Sequence, residues 1–165
     1  MENGIKTGIL TISTKGAAGL RDDESGDTVQ RMLEEQGFNV VRRHIIPDRL
    51  QEIADTLVAW VDEDNLALIV TSGGTGLSPN DVTPQAMERV IGYPVPGMAE
   101  AMRAESLKKT PHAMISRAMV GVRKASLIIN LPGSPKGAAE NLSVVLPALS
   151  HGLAKLGGDP SDCAS

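Results

Sequence analysis

The chain has 165 residues, of which 41% are apolar and only 2% aromatic, so we expect one domain with an aliphatic core. Its formal net charge of −4 argues against a general nucleic-acid binder, which would present a basic face. The lone cysteine, Cys163, excludes an internal disulfide, and no apolar run approaches the roughly 20 residues of a membrane span. With no secretory signal pattern at its start, the sequence predicts a cytoplasmic protein that binds neither nucleic acid nor membrane.

Apolar patterns divide the chain into alternating strands and helices. We predict strands over 9–13, 38–46, 66–70 and 126–131. We predict helices that begin at Asp27, at Pro47-Asp48, at Thr83 with Pro84 in the first turn, near Met98 and near Lys136. The alternation is typical of a three-layer α/β fold, a mostly parallel sheet with helices on both faces. The prediction treats 1–165 as one domain with a mobile tail from about residue 157.

The unusual residues fall in the loops that follow the predicted strands. Parallel sheets of this kind bind ligands outside the carboxyl ends of their strands. These loops cover 14–26, 47–48, 73–81 and 132–136. We therefore expect a ligand site where they meet.

The loop after the strand at 66–70 is rich in glycine and small hydroxyls. Gly73, Gly74 and Gly76 permit positive φ and close approach to the backbone, so successive amides can converge on an anion. Ser72 and Thr75 add hydroxyl donors. The spacing matches neither a Walker A motif nor a dinucleotide fingerprint. The alternative is a tight strand-to-helix turn that binds nothing.

Asp81 is a more specific candidate for a functional residue than the loop glycines. Thr83 is the better N-cap because Pro84 supplies no N–H to Asp81, which leaves Asp81 without a structural role. A carboxylate beside a phosphate loop suits Mg²⁺. Asp48 either assists it or caps its own helix, since it stands three residues before Gln51.

The remaining candidate is a cation. Lys136 follows Pro132-Gly133-Ser134-Pro135 at another strand end and either contacts a phosphate or is simply solvated. The three histidines show no metal-ligand spacing, and one cysteine cannot build a zinc site. From the residues alone, the sequence predicts an anion site with Mg²⁺.

Taken together, the motifs resemble the molybdenum-cofactor biosynthesis proteins of the molybdopterin-binding fold. The resemblance extends from about Lys6 to Leu156. The matching segments are 72–76, 81–84, Asp22, Ser25-Gly26, Pro47-Asp48, Ser116-Arg117 and 130–136.

The resemblance implies the activity of the molybdopterin adenylyltransferase family, which transfers AMP from Mg-ATP to the phosphate of molybdopterin. It also implies a homotrimer or hexamer and a transfer partner for molybdate insertion. It places catalysis and Mg²⁺ binding on Asp48 and Asp81. It assigns substrate binding to Ser13, Asp22, Ser25, Gly26, Ser72, Gly73, Gly74, Thr75, Gly76, Ser116, Pro132, Gly133, Ser134 and Lys136.

Two departures from the family pattern leave an alternative open. Asn80 stands where arginine is common, and Asp27 stands where a small residue or proline is common. Both would weaken anion binding, which favours a non-catalytic molybdopterin-binding carrier or scaffold. A third reading is a structural oligomer, whose subunit face or core would use Met98, Met102, Met114 and Met119.

Overall fold

The structure is a computed structural model that describes residues 4–163, and its centre is a six-stranded sheet. The strands are β1 (Lys6–Ile12), β2 (Asn39–Ile46), β3 (Leu68–Ser72), β4 (Tyr93–Pro94), β5 (Val120–Arg123) and β6 (Ser126–Leu131). The helices are α1 (Thr14–Ala17), α2 (Glu24–Glu35), α3 (Leu50–Asp62), α4 (Thr83–Val90), α5 (Pro96–Leu107) and α6 (Pro135–Leu156), with a 3₁₀ turn at Pro111–Ile115. No helix within residues 4–163 has the length and apolar character needed to cross a membrane.

The sheet order is β2-β1-β3-β6-β5-β4, and the first four of these strands run parallel. The prediction of a mostly parallel α/β sheet is therefore confirmed. The antiparallel edge formed by β5 and β4 was not predicted. The two residues of β4, Tyr93 and Pro94, carry too little pattern to indicate a strand.

Alternating side chains of the central strands build two cores, one on each face of the sheet. Ile9 and Leu68 pack with helices α2, α5 and α6, whereas Leu10 and Ile69 pack with α3 and α4. This period of two is the property of a pleated strand. All residues of β3 are buried, as expected for a central parallel strand covered on both faces.

Two helix caps differ from the sequence-based expectation because of the hydrogen bonds that the fold provides. Helix α2 begins at Glu24 rather than Asp27, because Asp23 accepts from the Gly26 amide at 3.0 Å. Helix α4 has Val82 rather than Thr83 as its N-cap, because the Thr83 hydroxyl donates to the Gly73 carbonyl at 2.9 Å.

Asp48 does not cap α3, whose N-cap is Arg49 without a side-chain bond. Helix α6 ends with Gly157 as its C-cap, at the position where the predicted tail begins. The predicted mobility of the tail stays a prediction.

The methionines mainly fill the core. Met102 is buried, and Met98 and Met119 are partly buried against the two cores. Met114 is 69% exposed in the 3₁₀ turn, beside the exposed Ile115. Three of the four side chains considered for a subunit face therefore have a packing role within the protomer.

Candidate functional site

The predicted loops converge on a cavity of about 680 Å³ at the carboxyl ends of β1, β3 and β6. We call it the inner cavity. It lies where the strand order reverses between β1 and β3, the position at which open α/β sheets bind ligands. The predicted site residues in its wall are Ser13, Asp22, Ser25, Asp48, Ser72, Gly73, Gly74, Asp81, Gly133 and Ser134.

The glycines of the 73–76 loop allow neighbouring protein atoms to pack closely against the loop. Gly73 has φ +107°, and a Cβ there would lie 2.2 Å from the Ile12 carbonyl oxygen. Gly74 has φ +69°, and its Cβ would lie 2.3 Å from Thr83 Oγ1 and 3.3 Å from Asp48 Oδ1. A Cβ on Gly76 would lie 2.8 Å from Asp81 Oδ2. Close packing of the loop against both aspartates thus requires glycine.

Ser72 differs from the other serines of the wall. The hydroxyl of Ser25 donates to the Gly133 carbonyl at 2.6 Å, and those of Ser13 and Ser134 accept backbone amides at helix starts. Ser72 is 1% exposed, and its Oγ has no hydrogen-bond partner among the described residues. An unpartnered buried hydroxyl costs about 1–3 kcal/mol, which a ligand oxygen accepting from it would offset.

Asp48 and Asp81 are each anchored through one carboxylate oxygen. Oδ2 of Asp48 accepts from the backbone amide of Thr14 at 3.0 Å and from its hydroxyl at 2.9 Å. Oδ2 of Asp81 accepts from the Ser78 amide at 3.0 Å. Across the described range, neither Oδ1 accepts a hydrogen bond. Asp81 therefore has a local structural role, contrary to expectation, and both carboxylates keep one oxygen for a ligand.

A second depression of about 790 Å³, the outer cavity, adjoins the inner cavity. The two cavities share Ser13, Arg21, Asp48 and Asp81. The outer cavity adds basic groups from Lys15 and Arg49 and also the polar Asn80. The acidic groups of the inner cavity are Asp22, Asp23, Glu24, Asp48 and Asp81. The two aspartates of the prediction thus lie between an acidic region and a basic one.

Asp23 is neutralised within the protein and differs in this from the other acids of the inner cavity. Its carboxylate accepts from the Thr11 hydroxyl at 2.9 Å and from Arg43 at 3.0 Å. Burial acts to lower the pKa of Arg43, but hydrogen bonds to Asp27 and Asp23 outweigh it and raise the pKa above its ordinary value. Asp23 therefore fixes the start of α2 rather than offering a ligand oxygen.

Some predicted residues lie elsewhere. Lys136 is exposed in the first turn of α6, and Ser116 Oγ accepts from the Ala118 amide at 3.4 Å. Asp27 pairs with Arg43 at 2.6 Å and lines neither cavity, so it does not oppose an anion there. The other predicted residues outside the two cavity walls are Gly26, Thr75, Gly76 and Pro132.

Sequence reasoning missed the basic groups Lys15, Arg21 and Arg49. They lie in or directly after loops that were expected to reach the site. In the sequence these basic residues are spread over two loops, and they form a cluster only where the loops converge.

The fold and site define a molybdopterin-binding domain: the family model described as "Probable molybdopterin binding domain" matches residues 8–151. The chain belongs to this family. It is 40% identical over 149 residues to the molybdopterin adenylyltransferase of Helicobacter pylori strain J99, covering 89% of this chain and 85% of that protein. The Haemophilus influenzae molybdopterin adenylyltransferase is 40% identical over 144 residues, covering 86% of this chain and 73% of that protein.

A solved structure is similar over nearly its whole length. The crystal structure of the molybdopterin biosynthesis enzyme MoaB from Thermus thermophilus is 45% identical, with a TM-score of 0.89. The match covers 96% of this chain and 99% of that one. The predicted family and fold are therefore both confirmed.

Proposed function

We propose that this protein is a molybdopterin adenylyltransferase that joins AMP from Mg-ATP to the phosphate of molybdopterin and releases pyrophosphate. The observation that carries the proposal is the inner cavity, where the unpartnered Ser72 hydroxyl and two half-anchored aspartates share one wall. Further support comes from 40% identity to proteins named for this activity.

The reaction needs alignment and charge neutralisation more than proton transfer. An oxygen of the molybdopterin phosphate attacks the α-phosphorus of ATP. The bond from that phosphorus to the bridging oxygen breaks, and pyrophosphate leaves with the electron pair. Because a phosphate monoester is largely ionised at neutral pH, with a second pKa of about 6, the nucleophile requires no protein base. The donor groups of the site therefore act by positioning and by stabilising negative charge.

Asp48 and Asp81 would hold Mg²⁺ through their Oδ1 atoms. Mg²⁺ commonly takes one or two carboxylates and completes its shell with water and substrate phosphates. Among the described residues no group of three acidic, histidine or cysteine side chains is poised to hold a metal. A pair of carboxylates matches the way Mg²⁺ binds together with a nucleotide. When bound, the ion supplies positive charge to the triphosphate.

The other polar side chains of the two cavities have roles that follow from their charge. Lys15, Arg21 and Arg49 of the outer cavity would stabilise the triphosphate and the departing pyrophosphate. In the inner cavity, Ser72 would donate to a phosphate oxygen. Asp22 would accept from the amino and N–H groups of the pterin.

The proposal extends to the assembly and its setting. We expect a homotrimer or hexamer in the cytoplasm that hands its product to a partner for molybdate insertion. The exposed apolar side chains Met114 and Ile115, neighbours in the 3₁₀ turn, support a subunit contact, since large exposed apolar groups that lie together mark interfaces.

A single-turnover assay with molybdopterin, ATP and Mg²⁺ tests the function. We expect the wild-type chain to form pyrophosphate and adenylylated pterin together. Asp81→Ala should lower the rate by about 10²–10³-fold, the effect of losing an electrostatic group at such a centre. Asp55→Ala is the matched control, because within residues 4–163 the Asp55 carboxylate accepts only from Gln51, on the exposed face of α3. Pterin binding without pyrophosphate from the wild type would instead establish a carrier or scaffold.

A further inference from the structure

Hydrogen bonds hold the first and second halves of the loop at 73–81 to different parts of the protein. In the first half, the Gly73 amide donates to the Leu131 carbonyl at 3.0 Å, and the Thr83 amide donates to the Gly74 carbonyl at 3.2 Å. These bonds join the start of the loop to β6 and α4. The second half, 75–81, carries the 63% exposed Leu77 and ends at Asp81, so it needs another means of support.

Arg117 supplies that support from the segment that precedes β5. Its Nε donates to the Gly76 carbonyl at 2.9 Å, and its Nη2 donates to the Asp81 carbonyl at 2.7 Å. Its Nη1 reaches Gln85 Oε1 at 3.3 Å, and its own amide donates to the Thr75 carbonyl at 2.8 Å. One guanidinium thus joins the beginning and the end of the 76–81 loop.

The guanidinium of Arg117 is bonded to neutral oxygens. Within residues 4–163 no carboxylate lies within 4.0 Å of its guanidinium, so neutral oxygens alone hold the charge. The planar fork has fixed donor directions, which sets the separation of the two carbonyls that it binds. A lysine ammonium carries the same charge but cannot reproduce that separation.

We propose that Arg117 is the positioning residue for Asp81. By closing the 76–81 loop, it brings the Ser78 amide to Asp81 Oδ2 and keeps the carboxylate in the wall shared by the two cavities. Its consequence for adenylyl transfer rests on the proposed function. Its consequence for metal binding rests on the proposed Mg²⁺ site at Asp81, and its consequence for the loop rests on neither.

The test compares Arg117→Lys with Arg103→Lys. Arg103 is the matched control because it also donates to backbone carbonyls of the same segment, to Ala118 at 2.8 Å and to Ser116 at 3.5 Å, without contacting the loop. The first readout is hydrogen exchange of the Ser78 and Asp81 amides. The second is the affinity for Mn²⁺ with α,β-methylene ATP, followed by electron paramagnetic resonance. The third is the single-turnover rate.

In Arg117→Lys we expect the two amides to exchange about tenfold faster, while the Gly73 amide keeps its wild-type rate. The Mn²⁺ affinity and the transfer rate should fall by about 10- to 100-fold, since displacing a catalytic group by an ångström has effects of this size. Arg103→Lys should change none of these. Gln85→Ala, which removes only the weakest of the acceptors, should shift all three in the same direction by less.

A double variant separates positioning from general stabilisation. If Arg117 acts through Asp81, adding Arg117→Lys to Asp81→Asn should weaken Mn²⁺ binding no further, because groups that act as one unit are not additive. Additive losses, or unchanged exchange at Ser78 and Asp81, would overturn the proposal. A wild-type chain without transfer would contradict the proposed function only, and exchange and Mn²⁺ binding would still decide the role of Arg117.

Discussion

Polar groups at the two ends of the central strands differ in how completely they are bonded. At the amino end, the buried Ser126 hydroxyl donates to the Leu66 carbonyl at 2.5 Å. Asp62 is paired there with Arg123 at 2.7 Å and with Lys124 at 3.0 Å. At the carboxyl end, the equally buried Ser72 hydroxyl has no partner within the described residues.

The contrast is sharpest between two neighbours in β3. Thr71 accepts from the Asn130 side chain at 3.0 Å, and that side chain in turn accepts from the Met119 amide at 3.1 Å. Ser72, one residue later, lines the inner cavity without such a bond. Saturated polar groups thus stabilise the fold, while the unsaturated ones mark where a ligand completes the bonding.

The largest expected effect comes from exchanging two buried serines for alanine. Ser126→Ala should lower the free energy of unfolding by about 1–3 kcal/mol, because the Leu66 carbonyl loses a buried donor. Ser72→Ala removes a hydroxyl without a partner, so its stability should stay within about 0.5 kcal/mol of wild type or rise. Urea denaturation measures both changes.

The affinity for molybdopterin should respond in the opposite order, with the larger change in Ser72→Ala. Ser72→Ala should weaken molybdopterin binding by about 10-fold or more, the effect of one hydrogen bond to a charged group. Ser126→Ala should leave that affinity unchanged, as calorimetric titration would show. If Ser72→Ala were strongly destabilising with normal affinity, the contrast between the two ends would have no functional meaning.

Local sequence predicted the elements whose pattern is long and misjudged those decided by distant partners. Ser126–Leu131 is a strand as predicted, because four of its six residues are apolar and the turn residues Pro132-Gly133 follow it. Asp27 was predicted as the start of α2, whereas Asp23 is its N-cap in the structure. Only the fold brings Thr11 and Arg43 to Asp23, which decides between them.

The site was predictable as a set of loops but not as a set of bonds. Glycine and aspartate patterns indicated the edge of the sheet at which the inner cavity lies, and ten of the predicted residues line that cavity. The anchoring of Asp48 by Thr14 spans 34 positions in sequence, so no local rule could reveal it. The hydrogen bond from Arg117 to the Gly76 carbonyl joins residues 41 positions apart, so local sequence could not predict it either.

A smaller effect concerns acid stability at the amino end. Hydrogen bonds from Arg123 and then Lys124 lower the pKa of Asp62 to about 2 from 3.8. A carboxylate with a depressed folded-state pKa adds stability above its unfolded value, and that stability is lost as pH falls through the folded value. Wild type should therefore lose this contribution between about pH 4 and pH 2. Asp62→Asn should show a flatter profile in that window.

Thermal melts at closely spaced pH values measure the Asp62 effect. Asp64→Asn is the matched control, since Asp64 pairs with Arg42 on the more exposed surface nearby. Equal slopes for wild type and Asp62→Asn between the two pH values would show that the ion pair with Arg123 adds nothing to acid stability.

The smallest expected effect comes from restoring a charge to the outer cavity. Asn80 is exposed there and shares the wall with Lys15, Arg21 and Arg49. Asn80→Arg should strengthen ATP binding by about two- to fivefold at low salt, the range of exposed charge interactions, and the gain should fade as salt screens it. Stability should not change, because in the described part of the chain Asn80 makes only a 3.4 Å bond from its amide to Ser78 Oγ.

Titrations of ATP at low and high ionic strength measure this gain, with Asn65→Arg as a control in the turn before β3, at the amino end of that strand. A salt-sensitive gain at Asn80 alone would locate the triphosphate beside the basic groups of the outer cavity. Equal gains at both positions would indicate only a change in net charge. An unchanged affinity would mean that the three existing cations already saturate the phosphate charge. In that case the departure at Asn80 has no consequence for catalysis, and the adenylyl transfer rate of Asn80→Arg should match that of wild type.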